Sequence, residues 1–218
     1  MVKAGNSKDY LKYEVSVGGM FNPSIIDKTW LSVNNLIGEE ELESIKNGYF
    51  TPNRSTFQTM FYSFDCTKDG LYISVKDLAA ANIANNFIKG ILALLNQTKV
   101  SDVDLSVSSH FVMDDKKDEL DNFFRSLANE KISKVLGLSD LEDFIFWNGN
   151  VLTHIGRCIS GSHHLYVKLS SRAFNNTVIK RDENPELISA QRIISFFDAA
   201  PEFIKYSEGQ IDDIKKMV

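Results

Sequence analysis

The stretch Leu71–Asp115 reads LYISV (71–75), KDLAAANIANNFIKGILALLNQT (76–98) and, after Lys99, VSDVDLSVSSHFVMDD (100–115). In the first piece Leu71, Ile73 and Val75 fall on one side, as in a half-buried strand. In the second, Ala80, Ile83, Ala84, Phe87, Ile91, Leu94 and Leu95 recur at three- and four-residue steps, the spacing of one helix face. Asp77 stands where an N-cap is needed, and Asn82, Asn85, Asn86 and Lys89 fall on the opposite, wet face. In the third, Val103, Leu105, Val107 and Phe111 alternate with Asp102, Asp104, Ser106 and Ser108, which predicts a strand with one solvated face. Strand, long helix and strand form the frame, and the rest of the chain is placed around them.

Upstream, Leu11, Tyr13, Val15 and Val17 alternate with Lys12, Glu14 and Ser16, a strand that Gly18-Gly19 ends. Asn22-Pro23 opens a helical segment carrying Ile25, Ile26, Trp30, Val33 and Ile37; Gly38 breaks it, and Glu39–Lys46 reads as one further helical piece. Residues 48–55, with Pro52, read as a loop. Phe57–Phe64, aromatic on both sides, reads as one strand. Thr67-Lys68-Asp69-Gly70 is hairpin-turn chemistry. Downstream, Lys116–Asn129 is an amphipathic helix through Leu120, Phe123, Phe124 and Leu127, and Ile132–Leu138 is a further apolar segment. Phe144–Trp147, Val151–Ile159 and Leu165–Leu169 are strands, the last two joined around Ser160-Gly161-Ser162. Residues 171–184 read as a polar loop. A helical C-terminal segment, 185–217, opens at Asn184-Pro185 with Leu187, Ala190, Ile194 and Phe197 on one face, and Pro201 interrupts it. Residues 1–8 read as a flexible arm. The whole predicts one α+β domain over residues 9–218, with a mainly antiparallel sheet of about six or seven strands, helices on one face and a helical tail.

Composition narrows the function classes. The 218 residues carry a net charge of −5, and the basic residues are scattered. A dedicated nucleic-acid binder concentrates its basic residues, so that class is disfavoured. No apolar run approaches the ~18 residues that suggest a membrane span. The first residues, MVKAGNSKDY, lack the apolar stretch of a secretory signal, and two cysteines make no disulfide framework. The expected setting is the cytoplasm, with no membrane partner.

Candidate chemistry is sparse. Cys158 and His164 would face each other across the hairpin, sharing a face with His154. His154 and Cys158, however, lie about 13 Å apart at 3.3 Å per strand residue, whereas zinc ligands sit at about 2.0–2.3 Å from the metal. Cys158 and His164 remain as a two-ligand candidate, which is not a complete metal site. Asp65-x-Thr67-x-Asp69-Gly70 imitates the start of a calcium loop, but Lys76 occupies the position of the bidentate carboxylate. Asp102 and Asp104 share a strand face, and with Asp114 and His110 they form the alternative site, a carboxylate cluster able to hold a metal at a nucleotide or phosphoryl group. A solvated strand face and helix-end charges explain the same carboxylates. No cofactor is expected. The positive anomaly is aromatic: Phe57, Phe61, Tyr62 and Phe64, and later Phe196, Phe197 and Phe203, exceed what one sheet face needs. Beyond their role in a core, they are the candidate interface.

The segments FNPSIIDKTWLSVNNLIGEEE (21–41), DGLYISVKD (69–77), ILALLNQTKVSDVDLSVSSHF (91–111) and HHLYVKLSS (163–171) resemble a group of uncharacterised bacterial cytoplasmic proteins. These carry a proline, a Trp-Leu pair and three glutamates after the first strand, here Pro23, Trp30-Leu31 and Glu39-Glu40-Glu41, and a helix–strand pair ending in His-Phe, here His110-Phe111. Where such proteins carry Gly-Ile-Asn-Arg before His-Phe, this chain has Leu105-Ser106-Val107-Ser108-Ser109, so no role of that arginine is carried over. The resemblance implies a unified fold and a bacterial setting. The expected function is a non-catalytic interaction protein, partnered with itself or with another protein subunit of a larger assembly, such as an accessory in phage defence. The alternative is an enzyme or nucleotide-binding module at Asp102, Asp104, Asp114 and His110.

Overall fold

A computed structural model describes residues 10–112, 117–127, 143–148, 150–158, 164–174 and 190–217. Helix and strand are mixed around one open antiparallel sheet, as the α+β reading requires. The sheet has nine strands among the described residues: β1 (Tyr10–Gly19), β2 (Lys46–Thr51), β3 (Arg54–Gln58), β4 (Ser63–Thr67), β5 (Gly70–Val75), β6 (Val100–Val112), β7 (Asp143–Asn148), β8 (Val151–Cys158) and β9 (His164–Phe174). Their order is β2-β3-β4-β5-β1-β6-β9-β8-β7. The described helices are α1 (Lys28–Val33), α2 (Glu39–Glu43), α3 (Ala81–Leu94), α4 (Lys117–Leu127), α5 (Ala190–Asp198) and α6 (Ala200–Met217). In this order α3 carries the chain from β5 to β6 past β1, so the two strands of the opening stretch are not neighbours.

The count exceeds six or seven because two segments read differently in three dimensions. Phe57–Phe64 is not one strand. Thr59 Oγ1 accepts hydrogen bonds from the backbone N–H of Phe61 and of Tyr62, and the Thr59 N–H donates to the Tyr62 carbonyl at 2.9 Å. That hydroxyl-anchored turn folds the run into β3 and β4, paired Phe57↔Phe64 and Gln58↔Ser63. The expected loop at 48–55 is mostly strand. β2 runs to Thr51 and returns as β3 through Pro52-Asn53, with Thr51 Oγ1 accepting from the Arg54 N–H.

The chain divides into two compact units, residues 12–106 with 171–204, and residues 1–11 with 107–170 and 205–218. The divisions fall inside β1, β6, β9 and α6, so no linker marks them in the sequence.

In the first unit, Tyr13, Val15 and Val17 of β1 are fully buried and pair with Val75, Ile73 and Leu71 of β5. The turn Thr67–Gly70 closes the β4–β5 hairpin as expected. Phe87 of α3 meets Phe57, Tyr62 and Phe64 with ring centroids 6.1, 5.1 and 5.3 Å apart. Edge-to-face and offset contacts of this kind add about 0.5–1.5 kcal/mol per pair beyond burial. Asp77 caps a 3₁₀ turn, Leu78–Ala80, that leads into α3. The buried face of α3 is Ala81, Ala84, Asn85, Phe87, Ile88 and Ile91. It is rotated from the expected stripe: Ile83 and Leu94 are exposed, while Asn85 is 4% exposed. The physical reason is Tyr13, whose buried hydroxyl donates to Asn85 Oδ1 at 2.7 Å and draws the amide into the core. Near the N-terminus, Asn22 caps only the 3₁₀ turn Pro23–Ile25, and Asp27 caps α1 separately. Ile26, Leu31 and Ile37 are buried there, while Ile25 and Val33 are exposed. On α5, Ile193 and Phe197 are buried and Ile194 is exposed, and Lys89 Nζ reaches Asp198 at 3.0 Å.

In the second unit, Leu120, Phe123 and Phe124 of α4 and Ile211 and Ile214 of α6 are buried. The Lys215 ammonium sits 5.2 Å from the centre of the Phe111 ring. Ser108 of β6 is buried here, as is Ser106 in the first unit, although both are expected to be wet. The break between α5 and α6 falls at Ala199, and Pro201 sits in the first turn of α6, where a missing N–H costs nothing. β9 continues to Phe174, so strand replaces the first part of the expected 171–184 loop. Residues 1–8, Asp114, Ile132–Leu138, the 160–162 turn and Asn184–Leu187 lie outside the described residues.

Candidate functional site

Strand β7, Asp143-Phe-Ile-Phe-Trp-Asn148, is one end of the strand order. It pairs with β8 in unbroken register, Phe144↔Ile155, Ile145↔His154, Phe146↔Thr153 and Trp147↔Leu152. Directly paired residues share a face. Phe144 and Phe146 therefore lie with the buried Ile155 and Thr153, their own rings 5.5 Å apart. Ile145 and Trp147 lie on the other face with His154 and Leu152. Ile145 is 61%, Trp147 59% and Phe146 37% exposed. Among the described residues, alternate backbone N–H and C=O groups on the outer side of β7 have no ladder partner. Asn148, which ends the strand, donates to the Tyr206 hydroxyl of α6 at 3.2 Å.

The same end of the sheet holds a row of polar rings. His154 Nε2 lies 2.8 Å from Asp143 Oδ1, and since an ionised carboxylate only accepts, the imidazole N–H donates. The contact passes over Gly156, the residue paired with Asp143: a β-carbon there would stand 2.2 Å from Asp143 Oδ1. Tyr166 of β9 packs between His154 and His110, with ring centroids at 5.5 and 4.7 Å. A carboxylate-oriented imidazole is able to move a proton. Among the described residues, no three or more His, Cys, Asp or Glu side chains are grouped to hold a metal ion.

The residues singled out in the sequence are placed as follows. Asp102 Oδ2 accepts from Ser101 Oγ at 2.7 Å, and it lies where a β-carbon on Gly18 would be. Asp104 is partnered in the fold. His110 is six residues beyond Asp104 on one strand, about 20 Å at 3.3 Å per residue, so Asp104 and His110 do not converge on one ion. Asp114 and the side chains of Cys158 and His164 lie outside what the structure describes. Of the aromatic candidates, Phe57, Tyr62, Phe64 and Phe197 are buried in the core; Phe196 and Phe203 are half-buried, and Phe61 is exposed at the 59–62 turn. The aromatic surplus thus fills the core through four of its seven members. The exposed aromatic strand is β7, whose Phe-Ile-Phe-Trp run was legible as a strand and carries no local mark of being an edge.

Burial favours the neutral forms of Cys66, Tyr13 and Tyr62 in the first unit. Burial, then Asp65, pushes the Cys66 thiol up to about 12, which leaves no reactive thiolate at neutral pH. Burial raises the Tyr13 phenol, and burial followed by the Glu41 carboxylate raises that of Tyr62. An open cleft of about 640 Å³ lies in this unit, with Phe21, Ile25, Leu94 and Leu95 on its walls beside the Lys68-Asp69 turn. Among the described residues no helix is long and apolar enough to cross a membrane.

No protein-family model matches the chain, and no curated protein matches it.

Proposed function

We propose that the protein is a non-catalytic interaction protein, a homo-oligomer or a subunit of a larger assembly, that associates through the open edge of β7. The observation that supports this reading is the edge strand with exposed apolar side chains on both faces, Ile145 and Trp147 on one and Phe146 on the other. A flat apolar edge is an aggregation hazard that soluble proteins remove or cover. Strand addition at such an edge supplies backbone hydrogen bonds for affinity and side-chain pockets for specificity. The interface is thereby moved from the aromatic residues of β3 and β4 to those of β7.

The test is the native mass of the tagged full chain in an extract of its own cells. A mass above the 24.6 kDa of one chain, collapsing to it in Ile145→Glu, supports the proposal. A wild-type chain that runs at its own mass overturns it.

A further inference from the structure

We propose that the occupant of the β7 edge is β7 of a second copy, paired antiparallel across a twofold axis normal to the sheet. This deepens the reading above and rests on it.

The two ends of the strand order are built differently. At β2 the register shifts between Lys46↔Gln58 and Tyr49↔Thr56, which places one extra residue in β2. Asn47 there has φ 53°, in the left-handed region, and Gly48 follows it. A bulge of this kind bends an edge and interrupts its ladder. α2, which precedes β2, opens with Glu39, Glu40 and Glu41. β7 carries no such device: it has no Lys, Pro, Gly or bulge between Asp143 and Asn148, and its register with β8 is continuous.

The sequence of β7 is compatible with itself. A twofold axis normal to the sheet keeps the same face of both copies on the same side, so residues of like parity meet. With the axis through Ile145, Phe144 stands opposite Phe146 and Asp143 opposite Trp147. With the axis through Phe146, Ile145 stands opposite Trp147 and Phe144 opposite Asn148. Asp143, the single charged residue of the strand, never meets its own copy in either register. Like charges placed directly opposite destabilise a pair of strands, whereas aromatic and branched pairs stabilise it. Each copy offers the same patch, so the contact closes at two chains. A head-to-tail contact of β7 on β2 would have to form on the bulged edge and, unlike the twofold pair, is not closed by its own symmetry at two chains. Six residues of edge bury little area, which places the affinity on the order of micromolar.

Sedimentation of the purified full chain tests this from about 1 to about 500 µM, a range that brackets transient pairing. The expected mass rises with concentration from 24.6 kDa to twice that value. Ile145→Glu, which brings like charges together or removes the Trp147 contact, weakens association by about tenfold or more. Tyr49→Glu, on the β2 edge, associates as the wild type does. A second measurement uses covalent trapping, because residues opposite each other across an antiparallel pair lie about 4.5–5.5 Å apart at Cα, within disulfide reach. Ile145→Cys or Phe146→Cys then gives an oxidised dimer that the wild type does not give. A wild type that stays monomeric at every concentration, with neither cysteine variant cross-linking, overturns the inference. If a larger native mass persists in the extract while the purified chain is monomeric, the second copy is excluded and the interaction reading stands. If both masses are those of one chain, both fail.

Discussion

Tyr13→Phe and Asn85→Leu, made singly and together, weigh the one polar contact that decides how α3 is rotated against β1 and β5. The Tyr13 hydroxyl donates to Asn85 Oδ1 at 2.7 Å, and both residues are buried. Asn85 Nδ2 is buried without a hydrogen-bond partner. Tyr13→Phe leaves the whole Asn85 amide unpaired in the core, and an orphaned buried polar group costs about 1–3 kcal/mol. Asn85→Leu, close to isosteric, leaves the phenol hydroxyl without its acceptor and costs about the same. The double variant removes both partners and also removes the unpaired Nδ2, so it is expected within about 1 kcal/mol of the wild type or above it. The three variants together give a coupling of about 2–6 kcal/mol when the double variant matches the wild type, the sum of the two single costs less that of the double. Urea unfolding followed by both circular dichroism and tryptophan fluorescence measures it, with equal m-values showing that the unfolded states compare. If the two single costs simply add in the double variant, Tyr13 and Asn85 do not interact and the rotation of α3 has another cause.

Four further outcomes follow from the structure. The Cys66 thiol and the Tyr13 and Tyr62 phenols all have folded values raised above their unfolded ones, so the native state holds protons that the unfolded state releases. Their contribution is full below about pH 8.5; the Cys66 part is lost as pH rises from there to about 12 and the phenol part declines from about pH 10 upward, at about 1.4 kcal/mol per pH unit for each group above its unfolded value; urea midpoints from pH 8 to 11 read the slope, and Tyr13→Phe makes it shallower above about pH 10. Phe87→Ala opens the cluster with Phe57, Tyr62 and Phe64 and costs about 3–5 kcal/mol by thermal or urea unfolding. Gly19→Ala puts a β-carbon 2.4 Å from the Lys99 carbonyl oxygen, a backbone atom, and costs about 1–3 kcal/mol. Gly209→Ala in α6 meets nothing within 4 Å and raises stability by about 0.5–1 kcal/mol.

The elements legible in the sequence are those whose environment is set locally. Tyr13, Val15 and Val17 alternate because β1 has one buried face, and Thr67–Gly70 turns because a two-residue loop joins strands in register. Asn85 was not legible as a core residue, since a primary amide reads as solvent-facing until the phenol across from it is known. Ser106 and Ser108 mislead in the same way, as small hydroxyls that a packed sheet covers. The Phe57–Phe64 run hid its turn because Thr59–Tyr62 is as aromatic as the strands on either side of it, and the turn depends on the Thr59 hydroxyl reaching two N–H groups. The end of the sheet was hidden most completely. Phe144–Trp147 has the same sequence whether or not a tenth strand follows it, and edge position is a property of strand order alone.

Amide hydrogen exchange along β7 tests the central claim most directly. Among the described residues, the N–H groups of Phe144–Trp147 that point away from β8 have no ladder partner, and they gain one on pairing. The account predicts that they are protected at high protein concentration, lose that protection on dilution and in Ile145→Glu, and do so while β2 exchanges at an unchanged rate. Exchange along β7 that is equally fast at every concentration would contradict it.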